Sequence, residues 1–249
     1  MPVSGGEVWA DDTGGDGPTL VLIHPGWGDS TIWEPVMERL PEDYRIVRYD
    51  TRGYGRSPAP AAPFTQLADL IAVLDHFEVR SAAVVGHSGG GGTAIGLALA
   101  APDRVSALTL LAPGVQDYPW PPEDPYGREF EELFTAGDPE GLARLGMRTW
   151  AAAGADPAAR AQVYGAVDAF FKQGNHERPD PPAYDRLGSI AVPVLVVIGE
   201  REYPMVRDCV EQIVARIPQS RQVILPGADH LLPLRAPAEI AALITAHSS

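Results

Sequence analysis

The chain has 249 residues, 45% of them hydrophobic, and 33 acidic against 19 basic side chains give it a net charge of −14. That length suits one domain with room for an insertion, and the apolar fraction can fill a large core, while the charge argues against nucleic acid and anionic membrane surfaces as partners. A single cysteine, Cys209, excludes an internal disulfide and a cysteine-built metal site, and its helical setting predicts a packed thiol.

Residues 1–6 have neither a basic start nor an apolar core, so no signal peptide is expected and the location expected is cytoplasmic. No run approaches the length of a membrane span. Glu7 to Ala10 reads as an edge strand, followed by a turn-rich stretch to Pro18. Thr19 to Ile23 is a continuous apolar run, the pattern of a parallel strand covered on both faces. It leads into His24-Pro25-Gly26-Trp27-Gly28-Asp29-Ser30, where glycines let backbone approach a ligand. Asp29 or Ser30 caps a helix whose apolar face is Trp33, Val36, Met37 and Leu40.

Arg45 to Tyr49 is the next strand. In the loop that follows, Asp50 and Arg52 are read as braces on backbone groups before any catalytic role. Leu67, Leu70, Ile71, Leu74 and Phe77 mark a helix. Ala82 to Val85 is a buried strand, Thr93 to Ala101 is compatible with a helix, and between them stands Gly86-His87-Ser88-Gly89-Gly90. A serine on a sharp turn between strand and helix needs neighbours without Cβ atoms. The turn also puts Ser88 at a helix N-terminus, where N–H groups favour developing negative charge.

Val105 to Leu111 is another strand, and then the pattern changes. Prolines 119, 121, 122 and 125 and prolines 179, 181 and 182 bracket three helical patterns. One presents Phe130, Leu133 and Phe134. The second opens on Asp138-Pro139 and the third on Asp156-Pro157, each a cap followed by a proline in the first turn. The third presents Val163, Val167, Phe170 and Phe171. One crossover needs one helix, so three predict a cap over the sheet's C-terminal edge. Pro193 to Ile198 and Gln222 to Leu225 resume the strands, with helices from Val206 to Ile217 and from Pro237 to Ala246. The alternation predicts a doubly wound, mostly parallel α/β sheet, which binds ligands at the carboxyl ends of its strands.

A serine hydroxyl needs a base within hydrogen-bond reach and a carboxylate to orient that base. Of the six histidines, His76 and His247 read as surface residues, His176 as solvated, and His24 as a loop brace. His87 adjoins Ser88, but neighbouring side chains at a sharp turn point apart. His230, in the loop after the last strand, is the expected base.

These stretches resemble the α/β-hydrolase superfamily over essentially the whole chain. The matches are Leu22 to Gly26, Arg48 to Ser57, Gly86 to Gly90, Pro193 to Glu200, and Asp229-His230. The Arg48 to Ser57 stretch is similar to 3-oxoadipate enol-lactonases and small esterases. The Gly86 stretch is similar to the non-haem haloperoxidase and esterase branch. The resemblance implies an α/β-hydrolase fold with residues 1–115 and 186–249 as core and 116–185 as a small helical cap inserted after the family's sixth strand.

It also implies site roles. The acid position after the strand ending in Gly199-Glu200 matches Glu202, a glutamate where the family more often has aspartate; Asp117, after the preceding strand, is the rival. The oxyanion donors implied are the N–H groups of Gly89 and Gly26, with Trp27 the neighbouring alternative for the second and a candidate for the substrate pocket. Pro25 has no N–H to offer. Asp229 stands where the family usually has glycine. Ser88 departs from the aspartate nucleophile of dehalogenases and epoxide hydrolases, and the only lysine, Lys172, falls in the cap, away from the position used by hydroxynitrile lyases.

The expected activity is a cofactor-free serine hydrolase of small carboxylic esters or lactones, with no metal site and a small-molecule substrate as partner. Nothing in the sequence excludes a homo-oligomer. Perhydrolysis, carbon–carbon bond hydrolysis or a biosynthetic cyclisation could run on the same residues, and a non-catalytic ligand binder is the alternative from another class. The apolar cap faces predict compact or hydrophobic substrates, selected by Phe130, Phe134 and Phe170.

Overall fold

The computed structural model describes residues 1–248. Two short strands, β1 (Pro2–Val3) and β2 (Gly6–Glu7), form a separate hairpin. The main sheet has seven strands: β3 (Ala10–Asp12), β4 (Thr19–Ile23), β5 (Arg45–Tyr49), β6 (Ala82–His87), β7 (Val105–Leu111), β8 (Val194–Gly199) and β9 (Ser220–Leu225). Their spatial order is β3-β5-β4-β6-β7-β8-β9, and every pairing is parallel except β3 with β5. The expected edge strand from Glu7 to Ala10 is therefore displaced: the chain breaks at Val8 and Trp9 and pairs with β5 through Ala10–Asp12. Turn-forming Asp12 is held in that strand because Arg45 of β5 pairs with its carboxylate at 2.7 Å.

Nine helices flank the sheet among the described residues: α1 (Glu34–Met37), α2 (Gln66–His76), α3 (Gly89–Ala100), α4 (Pro125–Thr135), α5 (Pro139–Trp150), α6 (Pro157–Gln173), α7 (Pro204–Arg216), α8 (Leu232–Arg235) and α9 (Pro237–His247). A short 3-10 turn, Ser30–Trp33, precedes α1 and is capped by Asp29. Strands β6 and β8 are buried along their whole length, which their unbroken apolar runs require of central parallel strands. Cys209 is buried on α7, and burial pushes its thiol up to about 12, consistent with packing.

Strand β4 has β5 on one side and β6 on the other, so the winding reverses there and the loops after β4 and β6 face each other across the crevice of a doubly wound sheet. Ser88 follows β6, and Gly26 follows β4. Helices α4, α5 and α6 lie between β7 and β8 in the chain. These three helices each start on an aspartate cap and a proline: Asp124, Asp138 and Asp156 accept the backbone N–H three residues on. Helix α4 packs on α5, and α5 on α6.

The insertion is fastened to the rest by particular contacts. Gln173 donates to the Arg52 carbonyl at 2.9 Å, and Gln162 accepts from Asp29 N at 2.9 Å while donating to Thr31. Trp27 meets Phe130 and Phe170 edge-to-face. Gly146 on α5 permits that seat, since a Cβ there would come within 2.8 Å of the Trp27 ring. The expected apolar faces are only partly turned inward. Val163 and Val167 are buried, but Phe171 is 40% exposed and stacks on Phe134. Those two rings join cap helix to cap helix.

Candidate active site

Ser88 begins α3 with φ 53° and ψ −116°, a left-handed backbone that a non-glycine residue holds only when its surroundings fix it. They do. Ser88 N donates to the Leu111 carbonyl at 2.8 Å, and its own carbonyl accepts from Gly91, Gly92 and Gly114. The flanking glycines are steric requirements. A Cβ on Gly86 would stand 2.7 Å from Gly91 Cα, and one on Gly90 would stand 2.6 Å from the Ile23 carbonyl. Ser88 is half-buried, Gly89 is exposed, and both face a cavity of about 730 Å³ that is also lined by Gly26 and Trp27.

Gly26 and Gly89 come together from different loops: a Cβ built on Gly89 would lie 3.7 Å from the Gly26 nitrogen. Neither N–H has an acceptor among the described residues. Trp27 is 6% exposed, lines the cavity and packs into the core; its indole donates to Tyr126 Oη at 2.8 Å.

Further along the same carboxyl edge, Glu202 follows β8 and His230 follows β9. His230 Nδ1 lies 3.0 Å from both Glu202 carboxylate oxygens, and both side chains are buried. An Nδ1–H donated to the carboxylate leaves Nε2 as the basic nitrogen. Nε2 is buried and has no hydrogen-bond partner among the described residues, and Ser88 Oγ makes no hydrogen bond to it. Trp150 links the two: it lines the cavity with Ser88, and its ring centroid is 4.6 Å from that of His230. Catalytic hydrogen bonds are often long without substrate.

The rival acid is elsewhere. Asp117 is exposed, accepts from Gln116, and lines a separate polar cavity with Glu177 and Asp180. Glu200 is a surface carboxylate that accepts Gly227 N. The loop braces stand as the sequence has them. Asp50 accepts Ser30 N and Arg56 N, and Arg52 grips Asp69 through two hydrogen bonds of 2.6 and 2.7 Å. His24 Nε2 accepts Thr51 N, so its Nδ1 donates to the Pro25 carbonyl. His247 differs from its surface reading: it is half-buried and donates from Nε2 to the Leu108 carbonyl, tying the end of α9 to β7. His176 is likewise half-buried, with Nδ1 donating to the Gln173 carbonyl.

Three supports of the site are not legible in the sequence. His87 turns away from Ser88, as expected, but its Nε2 donates to the His230 backbone carbonyl at 2.7 Å; burial holds its pKa well below the usual histidine value, so it is neutral. Asp229, in place of the family's glycine, accepts Leu231 N, Ala153 N and Arg235 Nε, all at 2.8–3.1 Å. Arg235 continues to Asp156 and to the Gly154 carbonyl. The loop between α5 and α6 is thus strapped to the loop carrying His230. Tyr126, in the first turn of α4, and Trp150, at the end of α5, wall the cavity where the sequence points to Phe130, Phe134 and Phe170. The helix phase hides this, because the strongest apolar stripe of α4 turns to the neighbouring helices.

Residues 20–243 match the profile of the alpha/beta hydrolase family. A pimeloyl-[acyl-carrier protein] methyl ester esterase of Nitrosomonas europaea is 29% identical over 240 residues, 88% of this chain and 91% of that protein. A putative carbamate hydrolase, RutD of Caulobacter segnis, is 38% identical over 101 residues; that match spans 38% of this chain and 38% of the relative, well under two thirds of its length. The solved structure of Est816, an N-acyl homoserine lactone degrading enzyme, superposes with a TM-score of 0.79 at 25% identity over 98% of both chains. No helix among the described residues is long and apolar enough to cross a membrane.

Proposed function

Because the chain belongs to the alpha/beta hydrolase family, we propose that it hydrolyses small carboxylic esters or lactones through Ser88, His230 and Glu202, by way of an acyl-enzyme. The observation that carries this reading is the buried Glu202–His230 pair, which leaves one imidazole nitrogen unpaired beside the wall of the Ser88 cavity. A carboxylate in that position holds the imidazole in one tautomer and stabilises the imidazolium that forms when Nε2 takes the serine proton.

Ser88 Oγ attacks the ester carbonyl as His230 takes its proton. The carbonyl oxygen becomes negative and is held by the N–H groups of Gly26 and Gly89, which lie close together and are free of other acceptors among the described residues. His230 returns the proton to the leaving alcohol, and water then repeats the sequence on the acyl-enzyme. No cofactor is needed by these steps. Residues 116–185 act as the cap that shapes the substrate pocket. The esterase and lactone-degrading relatives support an ester-type bond as the target.

A panel of chromogenic short-chain esters and lactones tests the reading. Turnover is expected, together with covalent labelling by a fluorophosphonate that peptide mass analysis locates at Ser88. Labelling elsewhere, or equal turnover by Ser88→Ala, overturns it.

A further inference from the structure

Four aromatic rings, Trp27, Trp120, Tyr126 and Trp150, stand in the wall of the Ser88 cavity, and the one hydroxyl among them has no acceptor for its proton among the described residues. Tyr126 Oη accepts the Trp27 indole N–H at 2.8 Å. The Trp150 ring packs edge-to-face on Tyr126 with centroids 4.9 Å apart; its indole N–H also acts on the phenol oxygen but closes no hydrogen bond of good geometry, and it is otherwise unpartnered. A phenol has one proton to donate and an oxygen that accepts. Here the accepting side of the oxygen is turned to two indoles. Asp124, the cap of the same helix, accepts Tyr203 Oη on one oxygen and Gly127 N on the other, and makes no hydrogen bond to Tyr126 Oη. No acceptor for the Tyr126 proton exists among the described residues.

Burial and the neighbouring Asp124 charge push the Tyr126 phenol well above its usual range, so it remains a donor at any working pH. It lines the same cavity as Ser88, Gly26 and Gly89. A polar group in the wall of a mostly apolar pocket fixes ligand orientation, because an analogue unable to pair with it leaves the group unsatisfied.

Resting on the Ser88 hydrolase reading, we infer that the Tyr126 hydroxyl is a substrate-binding donor, and that the preferred substrates carry a second, uncharged oxygen acceptor, such as a ketone, ether or amide carbonyl, besides the ester carbonyl that Ser88 attacks. The lining carries two carboxylates, Asp124 and Glu131, against one cation, Arg128, and the whole chain is strongly acidic, which favours an uncharged acceptor.

Tyr126→Phe removes the hydroxyl and keeps the ring. The probes are the p-nitrophenyl esters of 4-oxopentanoate and 5-oxohexanoate, set against those of pentanoate and hexanoate, with the remote ketone leaving the scissile carbonyl of each pair similar. At least one oxo ester is expected to lose about tenfold in kcat/KM on substitution, the size of one hydrogen bond, with the plain esters changed less than twofold. An equal fall on all four esters makes Tyr126 a packing residue and overturns the inference, as does no change on any. Failure of wild-type protein to turn over any of the four refutes the hydrolase reading itself, and the inference with it. Turnover by wild type with a flat response to Tyr126→Phe refutes the inference alone.

Discussion

The carboxyl edge of the sheet and the helices above it are built by different means. At the edge, position is set by backbone. Ser88 is held by four main-chain hydrogen bonds, β6 and β8 are wholly buried, and the glycines around the elbow admit no Cβ. In the insertion, position is set by side chains. Helix α4 has no buried residue at all, and its rings meet other rings or one indole of the core. The first kind of construction fixes a reacting atom to a fraction of an ångström. The second kind lets the pocket wall change without moving that atom.

The largest expected effect is at the edge. Ser88→Ala should cost about 10⁴-fold or more in kcat/KM on a good ester while leaving the melting temperature close to wild type, since it deletes only the nucleophile. Removing the acid comes next. Glu202→Gln should lower kcat by about 10³-fold, because Nδ1–H loses its charged acceptor; Asp117→Asn, on an exposed side chain, should lie within twofold of wild type. The reverse ranking in steady-state kinetics would move the acid to the loop after β7.

Asp229 tests whether the two constructions are coupled. Every group that meets its carboxylate is a donor, so Asp229→Asn turns an amide N–H₂ toward a donor and leaves Arg235 with Asp156 as its one remaining carboxylate partner. Breaking such a buried pair costs roughly 3 kcal/mol. A fall in melting temperature of roughly 10 °C is expected. A fall in kcat of about tenfold with KM nearly constant should accompany it, as the His230 loop relaxes. A lower melting temperature with unchanged kcat would show the strap to be structural only. The smallest effect belongs to the insertion. Phe134→Ala should cost about 1 kcal/mol in stability, because its stack with Phe171 is partly exposed. It should leave the ranking of ester substrates unchanged. A changed ranking would mean that the outer rings of the cap also shape the pocket.

Much of this division is readable in one dimension. Apolar runs such as Thr19–Ile23 and Val194–Gly199 can only be central parallel strands, and Gly86-His87-Ser88-Gly89-Gly90 between strand and helix can only be a tight turn that exposes its serine. Asp-Pro pairs mark where α5 and α6 begin, because a capping carboxylate and a proline without N–H both suit a first turn. These are local rules, so a local reading recovers them. The edge strand failed locally, because Asp12 is kept in β3 by Arg45, 33 residues away.

The sequence by itself determined the doubly wound sheet, the elbow at Ser88 and the histidine after the last strand, since each depends on residues adjacent in the chain or on strand order; the carboxylate after β8 came from the family resemblance, with Asp117 left open beside it. Only the tertiary structure decided which carboxylate meets His230, that Gly26 and Gly89 come close together, that Asp229 and Arg235 strap the insertion to the His230 loop, and that Tyr126 and Trp150 face the cavity in place of Phe130 and Phe170. The physical reason is range. Periodicity tells which side of a helix is apolar, but α4, α5 and α6 have both one another and the core to pack against, and the choice between those surfaces is made by contacts between residues far apart in the chain, such as Trp27 with Phe170, 143 positions on.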